Sequence, residues 1–128
     1  MKLIDANIIL RYLLNDHPEM SSKAKEIMQS DSVLLLTEVV AEVIYVLGGI
    51  YKTPRPDIAG ALRKVAAIPT VELENREIVL QAIDEYGGSK LDFVDEILYA
   101  HNQALGYPVE TFDKDLNRKL ASAKPQAD

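Results

Sequence analysis

Four acidic residues are spaced so that a shared chemistry becomes possible. Asp5 follows the first apolar run of the chain. Glu42 lies in the second turn of the helical segment after the second run. Asp113 follows the last run, and Asp95 opens the helical segment that leads to it. In an open parallel sheet, ligands bind beyond the carboxyl ends of the strands. Crossover helices run antiparallel to their strands, so Asp95 is expected at that same edge. Two carboxylates about 4 Å apart repel by roughly 4 kcal/mol at an effective dielectric near 20. Three or four gathered together make physical sense around a cation. Mg²⁺ or Mn²⁺ suits an all-oxygen site and keeps some of its waters. One or two such ions at an open carboxylate site fit phosphodiester hydrolysis.

Each acid also has a plainer reading. Asp5 reads equally as the cap of the helix after it. Asp92 and Asp95 read as first-turn acids favoured by the positive helix end. Asp113 and Asp115 read as turn and cap residues. Glu42 sits at the edge of an apolar stripe with Glu38 and Val46 one turn away, so no local cation serves it. A carboxylate at such a boundary needs a distant partner or a metal. In the segment after Asp92, the residues Phe93, Val94, Ile97, Leu98, Ala100, His101, Ala104 and Leu105 form an expected buried arc, with Asp92, Asp95, Tyr99 and Asn102 opposite. His101 falls on the arc and reads as a packing residue. With no histidine or lysine placed as a general base, a metal-activated water is the expected nucleophile.

The elements that must position these residues follow from periodicity and punctuation. Strands are expected at 2–5, 33–37, 70–73 and 108–111. Helices are expected at 7–15, 18–29, 38–50, 57–67, 75–86, 92–105 and 115–121, delimited by Pro18, Pro69, Gly87-Gly88 and Gly106. Short apolar strands alternating with helices imply an α/β fold: a three-layer α/β/α sandwich on a central parallel sheet of about four or five strands. At 128 residues the chain makes one domain, expected over 1–122, with a polar, flexible tail at 123–128. It has no cysteine, which excludes thiol chemistry and cysteine–zinc sites. No signal-peptide segment or membrane-length apolar run is legible, so a cytoplasmic location is expected. The net charge of −6 argues against binding nucleic acid through a broad basic surface.

The chain resembles the PIN domain family, in particular VapC-like toxins. The matching pieces are Ile4-Asp5-Ala6-Asn7, Val40-Ala41-Glu42-Val43, Leu91-Asp92-Phe93-Val94-Asp95 and Thr111-Phe112-Asp113-Lys114-Asp115. Their order and spacing cover nearly the whole chain. The resemblance implies an endoribonuclease dependent on Mg²⁺ or Mn²⁺, cutting tRNA or other structured RNA, blocked by a VapB-like antitoxin and often dimeric. It carries ligand roles to Asp5, Glu42, Asp95 and Asp113 and supporting roles to Asn7 and Thr111. It makes Asp92 and Asp115 possible extra ligands. Arg11, Lys52, Arg55, Lys90, Lys114 and Arg118 are the candidate phosphate contacts. The family's fifth strand has no signal here after Leu120. A phosphatase of the haloacid dehalogenase type also places an Asp after its first strand, but its second Asp and its Thr are replaced here by Asn7 and Ile9. A free-standing RNA-processing nuclease and a degenerate RNA- or protein-binding module are the alternatives.

Overall fold

A computed structural model describes residues 1–30 and 32–123. The expected tail, apart from Ala123, lies outside them. Three strands, β1 (Lys2–Leu3), β2 (Val33–Leu35) and β3 (Val71–Leu73), form a parallel sheet in the order β1-β2-β3. Lys2 pairs with Val33, and Val33 in turn with Val71. Val33 and Leu35 are buried, as a central strand requires. Between and after the strands come α1 (Ala6–Leu14), α2 (Pro18–Ser30), α3 (Thr37–Gly49), α4 (Arg55–Ala66), α5 (Arg76–Gly87), α6 (Phe93–Leu105) and α7 (Lys114–Ser122).

The helix ends follow local chemistry. Pro18 opens α2, where a missing N–H costs nothing. Asn15 and Gly106 end α1 and α6 in the left-handed region, at φ 49° and 73°. The α3 N-terminus is served from another strand. Glu74 extends the sheet pairing by donating its N–H to Leu35 O, and its carboxylate accepts from Thr37 N at 3.1 Å and Thr37 Oγ1 at 2.9 Å. Glu74→Ala is therefore expected to cost about 1 kcal/mol, the usual loss of an N-terminal cap, read by urea denaturation.

One core runs through the fold. Ile9, Met28, Val33, Val43, Ile58, Val65, Val79 and Ile83 are buried in it. Helix α1 packs on α2 and α3, and α4, α5 and α6 pack in succession. No helix among the described residues is long and apolar enough to cross a membrane.

Two expectations are corrected. The strand expected at 108–111 does not form, so the sheet among the described residues has three strands rather than four or five. Pro108 offers no N–H to a ladder. Side chains also take carbonyls at the segment's two ends: Asn102 Nδ2 donates to Tyr107 O, just before it, and Asn117 Nδ2 to Thr111 O, its last residue, each at 2.9 Å. β1 is an edge strand of this sheet, with Leu3 66% exposed, and it is short, as edge strands tend to be. The second correction concerns α6. Val94, Leu98 and Leu105 of the expected arc are exposed, whereas Glu96 is completely buried beside Phe93 and Ala100.

Candidate active site

Asp5 ends β1 and caps α1. Its backbone is extended at φ −93°, and Oδ1 accepts from Ile8 N at 3.1 Å. The cap reading thus holds, and it uses one of the two carboxylate oxygens. Asp5 is exposed and borders a shallow groove with Leu3, Ile4, Ile8, Ile27 and Val39. Asn7 is exposed in the first turn of α1. Glu42 is also exposed on α3, so water meets its charge. The desolvation argument for a partner at Glu42 does not hold.

The acids of α6 and α7 are different. Asp92 stands at the N-terminal boundary of α6 without a side-chain cap hydrogen bond, and Asp95 follows in the first turn, half-buried. Asp113 caps α7, its Oδ1 accepting from Leu116 N at 2.8 Å. Thr111 Oγ1 accepts from Asp113 N at 3.0 Å and steadies that turn. Burial pushes the Asp95 carboxyl above its ordinary range, and the nearby charges of Asp113, Asp92 and Glu96 push it further. Asp95 and Asp92 border a cleft of about 560 Å³, with Ala41, Tyr45, Gly48 and Phe93 of α3 and α6 among its other lining residues.

The structure therefore brings Asp92 and Asp113 each within electrostatic reach of Asp95. Asp5 and Glu42 are not among the charges that act on Asp95. Among the described residues, no three His, Asp or Glu side chains approach closely enough to hold a metal ion. Asp113 is held at the start of α7, which packs against α6. The donor chemistry still fits a hard divalent ion, since every candidate ligand is a carboxylate and Asp95 sits where positive charge is favoured.

The basic residues divide into engaged and open ones. Arg55 Nη1 donates to Leu91 O at 2.7 Å, Ser89 O at 2.9 Å and Tyr86 O at 3.4 Å, and Nη2 donates to Lys90 O at 3.3 Å. The guanidinium also lies 4.1 Å from the Tyr86 ring centroid. It clamps the loop that delivers Asp92. Arg11 pairs with Asp16 through Nη1 at 2.8 and 2.9 Å, and Arg118 pairs with Asp115 at 3.2 Å. Lys52, Lys90 and Lys114 are exposed. His101 is satisfied, with Nδ1 2.9 Å from Ile97 O and its ring stacked on Tyr107.

Three residues with structural work at this site escape a reading of acidic motifs: Glu74, Glu96 and Lys119. Glu96 had a signal. On a helical wheel it lies about 40° from Ala100 and about 60° from Phe93, at the edge of the stripe that is in fact buried. Lys119 lies three residues after buried Leu116, which marks the inner side of α7.

The PIN domain family model matches residues 2–120. Neither a curated protein nor a solved structure shows a match.

Proposed function

The chain belongs to the PIN domain family, whose members are generally metal-dependent nucleases, and from that premise we propose that it is a metal-dependent endoribonuclease hydrolysing RNA phosphodiester bonds. Asp95 is the observation that supports this most. It is a half-buried carboxylate at a cleft rim, facing the like charges of Asp113 and Asp92, and a cation relieves that arrangement. Asp5, Glu42, Asp95 and Asp113 would hold one or two Mg²⁺ or Mn²⁺ ions, with Asp92 and Asp115 as further oxygen donors. Carboxylates repel, so Asp5 and Glu42 gain from approaching the other two only with a cation between them. When bound, the ion supplies Lewis acidity toward the phosphate and acidifies the attacking water. The protein's part is to orient the donors. The Asp5 and Asp113 caps fix two of them at helix starts, and the Arg55 clamp fixes the loop before Asp92. Lys52, Lys90 and Lys114, being exposed, are the cations available to RNA phosphates. Arg55, Arg11 and Arg118 already bind within the protein.

The order of the acidic motifs supports a narrower reading: the toxin of a VapBC-type pair, acting on tRNA or other structured RNA in the cytoplasm, homodimeric and restrained by a VapB-like antitoxin. A small DNA-binding protein encoded beside this chain is expected on that reading. A free-standing RNA-processing nuclease would lack one. That no three acids among the described residues are grouped as a metal site favours one other reading, a binding module that retains RNA without cutting it.

Incubation with structured RNA decides between cutting and binding. Cleavage is expected with Mn²⁺ or Mg²⁺ and not with EDTA, and Asp5→Ala is expected to keep the fold and lose cleavage. RNA retained uncut in millimolar metal would support the binding module. Full activity in Asp5→Ala would remove Asp5 from the site. Metal removal has a second readout: Mn²⁺ at a hundred times its dissociation constant stabilises the native state by about 2.7 kcal/mol, a shift of several degrees in Tm.

A further inference from the structure

Helix α7 carries Asp113, yet it has little apolar area with which to hold itself in place. Of its nine residues only Leu116 is buried. Its other anchor is Lys119. Nζ donates to Glu85 Oε2 at 2.6 Å and to Glu96 Oε1 and Oε2 at 2.8 and 3.1 Å, and it lies 4.5 Å from the Tyr99 ring centroid. Burial alone would weaken the ammonium's hold on its proton, but the two carboxylates outweigh burial and the pKa is raised. Glu96 is 0% exposed and also accepts from Ser89 Oγ at 2.6 Å, while Ser89 Oγ accepts from Leu91 N at 3.0 Å. One connected set of contacts thus ties α7 to α5, to α6 and to the loop that delivers Asp92.

The placement of charge along α7 gives this set a purpose. Asp113 lies six residues before Lys119, about 9 Å along the helix axis. Asp113 meets the like charge of Asp95 at one end, and Lys119 meets opposite charges at the other. Repulsion at the first end drives α7 away from α6, and attraction at the second end opposes it. Glu96 is the next residue after Asp95, so the point that Lys119 grips is adjacent to the acid that Asp113 must face. A lysine serving RNA would stand exposed, whereas this one is 19% exposed and already bonded.

We propose that Lys119 is a positioning residue: its bonds to Glu96 and Glu85 hold the start of α7 on α6, so that Asp113 faces Asp95 and both carboxylates serve one divalent cation. Lys119 touches neither cation nor RNA. The proposal rests on the metal-dependent reading given above.

The test compares Mn²⁺ affinity, by calorimetric titration of the full chain, in the wild type, Lys119→Ala, Lys119→Arg and Met28→Ala. Met28 is buried in α2 and serves as the control for general destabilisation. All titrations are run where far-UV circular dichroism shows the variant folded. Lys119→Ala is expected to weaken Mn²⁺ binding about tenfold or more, the usual effect of losing a contact behind a ligand. Lys119→Arg is expected to restore binding, and Met28→Ala to leave it unchanged. Without metal, the Leu116 amide, which Asp113 caps, should exchange faster in Lys119→Ala than in Met28→Ala. If Lys119→Ala does not fold, Glu96→Gln replaces it, with the same direction of loss expected. Wild-type affinity in the folded Lys119 or Glu96 variant overturns the proposal, as does an equal loss in Met28→Ala. A wild-type protein that takes up no Mn²⁺ overturns the metal reading and this proposal together, so the two failures are told apart.

Discussion

The Asp95→Asn protein is expected to melt a few degrees higher than the wild type without metal, and to cleave RNA about a thousandfold more slowly with it. Both effects have one cause. Asp95 is half-buried and surrounded by Asp113, Asp92 and Glu96, so its ionised form is penalised in the folded state and its pKa is raised. At neutral pH the unfolded chain ionises this group freely and the folded chain does so at a cost. Like charge at a partly buried position is worth about 1 kcal/mol. Asparagine keeps the shape and removes that cost.

The pH dependence has a definite sign. A carboxyl with a raised folded pKa contributes stability below its ordinary value, and that contribution is lost as pH rises through the raised one. The wild type should therefore lose stability relative to Asp95→Asn across that acid window, and the gap should then stay constant. Asp84 works the other way. Its hydrogen bond to Arg63 lowers its pKa against the opposing pull of burial, so its contribution is lost as pH falls. Both proteins contain that pair, so subtracting the two curves isolates Asp95. Metal should reverse the order of stability, because only the wild type gains the full binding energy. An Asp95→Asn protein that cleaves normally would remove Asp95 from the site.

Arg55→Ala is expected to lower stability by about 3 kcal/mol, the range for losing charge-assisted hydrogen bonds to partly buried partners. The guanidinium serves the carbonyls of Tyr86, Ser89, Lys90 and Leu91 and lies over the Tyr86 ring. These carbonyls lie where α5 ends and the chain crosses to α6, so α5's negative end also favours a cation there. Arg55→Lys should recover little, because an ammonium cannot reproduce a planar fork that reaches several acceptors. A phosphate contact would behave differently, leaving stability nearly unchanged and lowering the salt dependence of RNA binding. Urea denaturation and a salt titration of RNA binding, run on the same variant, separate the two roles.

What the sequence reveals depends on the range of the forces involved. Helix starts and stops are local, so Pro18, Asn75 and Gly106 lie within a residue of the observed boundaries. Strand β2 is legible because one face is buried and the other half-buried, and its apolar run is uninterrupted. The 108–111 segment has a similar look, but pairing is a non-local event, and Asn117 takes its last carbonyl while Asn102 takes the carbonyl just before it. For the candidate site, the acids could be named from their spacing, and the α6–α7 group is found near itself. The exposure of Glu42 could not be read from its wheel position, since a residue at the edge of a stripe goes either way. The anchors were least visible of all. Glu96 is buried and Lys119 half-buried, and their pairing spans 23 residues of chain.

The central claim is that Asp5, Glu42, Asp95 and Asp113 share a divalent cation. Crystals grown with Mn²⁺ and measured at a wavelength where manganese scatters anomalously test it most directly. The account predicts a manganese peak bounded by carboxylate oxygens of those four residues, with Asp5 and Glu42 drawn toward the pair on α6 and α7. A well-ordered map with no manganese peak there, or with manganese bound only elsewhere on the surface, would contradict it.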